Sequence, residues 1–201
     1  MPPNFTQIAF TPTVKAIQEH YGSRQSYARM ESRGQDNNTI DPFIAQFIQA
    51  RDGFYMGTRN SEGWPYIQFR GGPTGFLNVL DEKTLGFADF GGNAQYLSIG
   101  NLADDDRVFL FLMDYMNRAR LKIWGRATVE GDRPDLIEQL RDPDYPADAQ
   151  RAILIRVEAW DWNCPQHIPR RFSENHVISL MEPLQARIQE LEAQLAALNA
   201  S

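Results

Sequence analysis

The residues with the most chemistry to offer stand in three places. Arg70-Gly71-Gly72-Pro73-Thr74-Gly75 sets a cation at the mouth of a glycine-rich segment, where backbone can come close to a bound group. Arg120, Lys122 and Arg126 fall at every second or fourth position of one stretch and share one face of a strand. Such a row is either a solvated face or, beside a glycine-rich loop, a grip for a phosphate. Asn163-Cys164-Pro165-Gln166-His167-Ile168-Pro169-Arg170-Arg171-Phe172 gathers an amide, the only cysteine, a histidine, two arginines and two prolines. Prolines remove ladder donors and fix φ, so this segment predicts an ordered, non-strand wall at the end of a strand.

Several chemistries lack their residues. Cys164 and His167 invite a metal or a nucleophile, but zinc wants three or four ligands and only His20 and His176 remain, and nothing nearby orients the imidazole. Asp104-Asp105-Asp106 reads as a solvated loop, because a Ca²⁺ or Mg²⁺ site needs ligands converging from spaced positions. The Gly-x-Ser-x-Gly elbow, the His-Glu-x-x-His helix, the G-x-G-x-x-G dinucleotide fingerprint and the phosphate loop ending in Gly-Lys-Ser/Thr are all missing. What remains is an anion site with aromatic neighbours. Arg70, Asn93 and Gln95 at a helix start, and Arg120 with Lys122 supply donors and charge, while Trp160, Trp162 and Phe172 supply flat apolar surface. Gln166 can read an amide-like edge, so a phosphorylated planar heterocycle satisfies every requirement.

The elements that must position these groups follow from local signals. Thr11-Pro12 and Asp41-Pro42 are cap and first-turn pairs, predicting helices over about 12–21 and from 42 to a stop at Gly53. Residues 23–38 are polar and read as a loop with one helical turn. Strands are predicted at 54–59 and 64–70, a hairpin around Asn60-Ser61-Glu62-Gly63, then at 76–80 and 85–90. Gly91-Gly92-Asn93 breaks the sheet, and Asn93 or a neighbour caps a helix carrying Tyr96, Leu97, Ile99 and Leu102. Residues 107–113 are an apolar strand, 119–129 an alternating one interrupted by Trp124 and Gly125, 134–140 a small helix and 151–162 the last long strand. Seven strands in hairpin order with few helices point to an antiparallel barrel or sandwich. The tail repeats Leu184, Ile188, Leu191, Leu195 and Leu198 at 4-3-4-3 spacing, a heptad seam that must bury its stripe on its own domain or on a partner.

Composition narrows the class. At 201 residues with 42% hydrophobic and 23% charged residues, the chain makes one soluble domain with terminal additions. A net charge of −6 with no basic tract speaks against nucleic acid as a partner. No apolar run spans a bilayer and the first residues carry no secretion signal, so no membrane partner and a cytoplasmic location are expected, in keeping with a lone cysteine.

Four motifs in order carry a resemblance: Tyr66-Ile67-Gln68-Phe69-Arg70-Gly71-Gly72-Pro73-x-Gly75-Phe76-Leu77, Asp89-Phe90-x-Gly92-Asn93-x-Gln95-Tyr96, Phe111-Leu112-Met113-Asp114-Tyr115, and Ala159-Trp160-Asp161-Trp162-Asn163-Cys164-Pro165-Gln166-His167-Ile168. Over about residues 40–172 the chain resembles the flavin-nucleotide-binding branch of the pyridoxamine 5′-phosphate oxidase-related proteins. The resemblance implies a mainly β fold with peripheral helices, an FMN-binding antiparallel split barrel over 41–175, to which the residue patterns add an N-terminal helical arm over 1–40 and a C-terminal amphipathic helix over 176–201. It also implies a homodimer with FMN at the subunit interface. Gln68, Arg70, Gly71, Gly72, Asp89, Phe90, Asn93, Gln95 and Tyr96 are then expected around the phosphate and ribityl chain, and Arg120 against the flavin. Trp162, Gln166 and Arg170 are expected to close over it from the second subunit. Where the oxidase carries a Ser-Arg-Lys grip this chain reads Asn93-Ala94-Gln95, and a phosphate lysine near Asn78 is absent, so Arg70, Arg120 or Lys122 has to supply the charge. The activity expected is that of an FMN-dependent oxidoreductase taking a small-molecule electron donor and acceptor. The rivals are a flavin carrier or sensor signalling through the C-terminal helix, and a haem protein using His20, His167 or His176 as axial ligand.

Overall fold

The computed structural model describes residues 4–34 and 37–199. It forms two compact units, Met1–Asp114 with Ala119–Cys164, and Tyr115–Arg118 with Pro165–Ser201. The first unit holds seven strands: β1 (Gly53–Arg59), β2 (Pro65–Gly71), β3 (Asn78–Val79), β4 (Thr84–Phe90), β5 (Arg107–Asp114), β6 (Ala119–Glu130) and β7 (Ala149–Trp162). They make one sheet in the order β2-β1-β5-β6-β7-β4-β3, with every pairing antiparallel. This is the antiparallel split barrel, mainly β with helices at its periphery.

Alternation along the strands decides what is inside. Phe54 and Met56 of β1, Leu110 and Leu112 of β5, Leu121 and Ile123 of β6, and Ile153 and Ile155 of β7 are fully buried in one core. Helix α4 (Pro42–Gln49) closes it with Ile44 and Ile48, and starts where the sequence predicts because Asp41 Oδ1 accepts from the Ile44 amide at 2.8 Å. Leu121→Ala class losses of methyl groups in such a core cost about 2–5 kcal/mol, so these residues set the stability of the fold.

Three helices precede the barrel: α1 (Phe5–Ala9), α2 (Pro12–His20) and α3 (Arg24–Ser32). The Phe5 ring stacks on Trp124 at 6.1 Å, and the Trp160 indole donates to the Thr39 carbonyl at 2.7 Å, so the arm is tied to β6 and β7. Helix α3 corrects the loop expected over 23–38. None of its residues is buried; its end is held by polar groups, with Arg24 bonded to Gln18 at 2.6 Å and Glu31 paired with both Arg24 and Lys15. A helix stabilised by charge pairs leaves no apolar period to detect. Gln35 and Asp36, within the same expected loop, lie outside the described residues.

Three further expectations are revised. The strand expected at 76–80 shrinks to Asn78–Val79. The alternation of β6 is unbroken: Gly125 takes the inward position and Trp124 the outward one, and the irregularity is a register shift against β7, where Trp124 faces Ala159 and Gly125 faces Val157. The helix after the break, α5 (Leu97–Asp104), begins four residues later than Asn93, with a left-handed Tyr96 as its cap. Helix α6 (Pro134–Leu140) stands as predicted.

The acidic run is not simply solvated. Asp105 accepts from Arg59 Nε at 2.6 Å and from Arg107 Nε at 2.7 Å and Nη2 at 2.6 Å, and Asp106 pairs with Arg126 at 2.6 Å. Hydrogen bonds from Arg107 and then Arg59 hold the Asp105 carboxyl far below the usual carboxylate range. A depressed folded value contributes stability above the unfolded value of about 4 and loses it as pH falls towards the folded value. Asp105→Asn should therefore lower the stability at pH 7, by about 1 kcal/mol for pairs with exposed arginines, and the gap to the parent should narrow steadily as pH falls below about 4. A gap as large at pH 2 as at pH 7 would refute the charge account.

The second unit carries α7 (Glu174–Asn199), which starts two residues before the expected 176 and has no buried residue. Within this unit the Arg171 guanidinium lies 4.6 Å from the Tyr115 ring centroid and Phe172 stacks on His176 at 5.6 Å. Among the described residues no helix is long and apolar enough to cross a membrane.

Candidate functional site

Strand β2 delivers Tyr66, Gln68 and Arg70 on one face by their period of two. β4 ends on Asp89 and Phe90, and β7 begins opposite it with Arg151 in register with Asp89. The connection into α5 lies between them. Together these residues line a cleft of about 250 Å³ with Asn93, Gln95, Tyr96, Ser98 and Gln150.

Asp89 is the hub of the cleft. Arg70 pairs with its Oδ1, and Arg151 Nε lies 3.6 Å from its Oδ2. Two guanidinium groups on one carboxylate leave one positive charge in excess. Burial pulls the Arg70 guanidinium below its ordinary value; the Asp89 carboxylate works against that, and Arg151 adds to it. The Arg70 Nε is buried without a hydrogen-bond partner, an orphan donor of the kind a bound anion satisfies. Arg151 also lies 5.2 Å from the Tyr96 ring centroid, which fixes its reach.

The backbone of the connection points the same way. Ala94 and Tyr96 are left-handed, with φ of 58° and 52°, conformations unfavourable for residues with a Cβ that recur where amides are turned towards an anion. Asn93 Oδ1 accepts from the Gln95 amide at 3.2 Å, which stabilises the turn. Tyr96 makes no side-chain cap, so the first-turn amides of α5 have no side-chain acceptor and can serve a ligand. Ser98 Oγ donates to Gln68 Oε1 at 2.7 Å, which leaves Nε2 as the donating end of that amide.

Of the residues expected from the sequence, the structure brings Gln68, Arg70, Asp89, Phe90, Asn93, Gln95 and Tyr96 to this cleft. Gly71 and Gly72 are not among its lining residues: a Cβ on them would meet Phe69 at 2.9 Å and Phe76 at 2.8 Å, so they make room for these rings. Arg120, Lys122 and Trp162 gather instead at the other end of β7. Arg120 Nη2 donates to the Cys164 carbonyl at 3.0 Å and its Nε is a second buried orphan. Lys122 pairs with Asp161 across the ladder at 2.5 Å, and Arg126 with Asp106 and Glu158, so two of the three cations in the basic row are neutralised by carboxylates. Trp162 packs edge-on against Phe47 at 4.8 Å. Arg151 and Trp162 are eleven residues apart on β7, about 36 Å of extended chain. Gln166 and Arg170 belong to the second unit, where both are exposed. None of the three histidines is among the residues lining the cleft.

Tyr66, Ser98, Gln150 and Arg151 were not expected. Arg151 had a sequence signal: it opens an apolar strand at an outward position, where a cation has to find a partner.

The sequence profile described as pyridoxamine 5′-phosphate oxidase matches residues 40–164. No curated protein matches the chain. Among solved structures, HupZ from Group A Streptococcus is 14% identical, with 66% of this chain and 99% of that one covered at a TM-score of 0.51. A pyridoxamine 5′-phosphate oxidase candidate from Lactobacillus delbrueckii is 16% identical, with 63% and 96% covered at a TM-score of 0.50. At these identities the likeness is one of fold. With more than half of its length matched by that profile, the chain belongs to the pyridoxamine 5′-phosphate oxidase family.

Proposed function

We propose that the chain binds FMN by its phosphate in the Arg70 cleft and acts, as a homodimer, as a flavin-dependent oxidoreductase on a small-molecule donor and acceptor. The observation that carries this reading is the orphan Arg70 Nε in a cleft with one positive charge in excess and an uncapped helix start. A dianionic phosphate satisfies all three at once. Arg70 and Arg151 would hold it with the amides of α5, while Gln68 would donate to the ribityl chain. Bound there, the flavin supplies hydride and electron transfer. The residues of the chain bind and orient it.

The dimer is supported by size and by placement. A cleft of about 250 Å³ is smaller than the roughly 300–1,000 Å³ of sites that enclose a whole small molecule, so phosphate and chain fit and the ring system lies outside. Trp162 stands too far along β7 to cover it from the same chain, and Arg120 of β6 lies beside Trp162, which leaves a second copy to do so. Tyr55, Ile67 and Phe69 expose an apolar patch on β1 and β2 that suits such a contact.

The test is direct. The purified protein should carry the visible absorbance of the isoalloxazine ring, or acquire it on adding FMN. A protein that stays colourless and leaves FMN fluorescence unquenched refutes the reading. Bound flavin with no turnover of NADH or NADPH across simple acceptors favours the carrier over the enzyme.

A further inference from the structure

Helix α7 carries an apolar stripe that its own unit leaves in water. Leu184, Ile188, Leu191 and Leu195 are exposed by 41–65%. On heptad lettering Leu184 and Leu191 take d, and Ile188 and Leu195 take a; Val177 and Met181 continue the same seam towards the N-terminus. Pro183 falls at the outward c position, so the bend it imposes precedes the Leu184–Leu195 stripe and does not enter it.

We propose that α7 pairs with α7 of a second copy as a parallel, in-register, two-stranded coiled coil. The charges flanking the seam choose the occupant and its direction. Between Leu184 and Leu195 the g positions are Arg187 and Gln194 and the e positions are Gln185 and Glu192, so one cation and one anion are available per helix. In a parallel pair each g faces the e five residues on, which sets Arg187 against Glu192 of the partner subunit, twice by symmetry. In an antiparallel pair g faces g and e faces e, and no opposite-charge pair forms. Ile188 at a with Leu191 at d also favours two strands over three or four. Arg187 already meets Glu190 on its own helix at 2.5 Å, an exposed i,i+3 contact that its remaining guanidinium donors can outreach. The pairing stands on the helix alone and does not depend on the flavin reading.

The test uses the full chain with Cys164→Ser, so that no native thiol competes. Leu184→Cys should form an intersubunit disulfide under mild oxidation, and Leu195→Cys should repeat the result at an a position. Ala186→Cys, on the outward f position, should not. Glu192→Arg should lower the cross-linked yield about threefold, and adding Arg187→Glu should restore it. Absence of the link at both seam positions in a protein of unchanged helix content overturns the proposal. So does a link that forms only when Leu184→Cys and Leu195→Cys chains are mixed, which is the antiparallel arrangement, where a d position faces an a position. FMN uptake by the same variants is read separately, so failure of the coil leaves the cofactor reading standing and failure of uptake leaves the coil standing.

Discussion

Arg70→Met is expected to give a colourless protein that melts well below the parent. The side chain is 12% exposed and its partner Asp89 only 7%, so the substitution strands a buried carboxylate. Breaking a buried pair costs about 3–5 kcal/mol, and Arg151, still beside Asp89, holds the loss to about 3 kcal/mol. At this chain length that is roughly a 6–12 °C fall in melting temperature. FMN loses the orphan Nε and the excess charge together, and charge-assisted bonds of about 1.5–3 kcal/mol predict a 10- to 100-fold weaker complex. Asp89→Asn separates stability from binding: it also lowers the melting point, but it raises the charge of the cleft, so phosphate affinity is kept or increased. Melting curves of the flavin-free proteins and fluorescence titration with FMN read the two effects. Parental affinity in Arg70→Met would remove the cleft from consideration as the phosphate site.

Gly125→Val is expected to be the most damaging single change to the fold. A Cβ at this position would sit 2.7 Å from the Arg156 carbonyl oxygen and 2.8 Å from the Ile155 side chain, and a backbone carbonyl cannot move aside. The contact arises where the β6 and β7 ladder shifts register, so relieving it means undoing the shift and misaligning the strands beyond it. Overpacking of this kind costs about 3 kcal/mol or more. Gly100→Ala is the control, because nothing lies within 4 Å of its Cβ and it is inside α5. It should be neutral or add about 0.5–1 kcal/mol. Urea unfolding compares them, and a Gly125→Val midpoint within error of the parent would show that β7 accommodates the methyl groups.

Gly125 also shows where the sequence could and could not be read. Read along one strand, Trp124-Gly125 looked like a break in alternation; only the facing strand reveals that the glycine points inward because a carbonyl crosses it. Long apolar or capped segments were legible: α2 and α4 begin where Thr11-Pro12 and Asp41-Pro42 predict, and the β1–β2 hairpin falls within a residue or two of its expected bounds. Helix α3 was not legible, because charge pairs and not burial hold it. The start of α5 was displaced by the left-handed Ala94 and Tyr96, which no local rule assigns to residues with a Cβ. In the cleft, Arg70 and Asp89 were identifiable as chemistry but not as a pair, and Arg151 needed the β4–β7 register to join them.

The distance between the two ends of β7 has a consequence for inheritance. In the proposed homodimer each cofactor position is assembled from the Arg70 end of one chain and the Trp162 end of the other, so a lesion at either end enters both positions. Two chains damaged at opposite ends are not equivalent failures. Assembled together they put both lesions into one position and leave the other whole, so alleles that are each inactive alone complement one another.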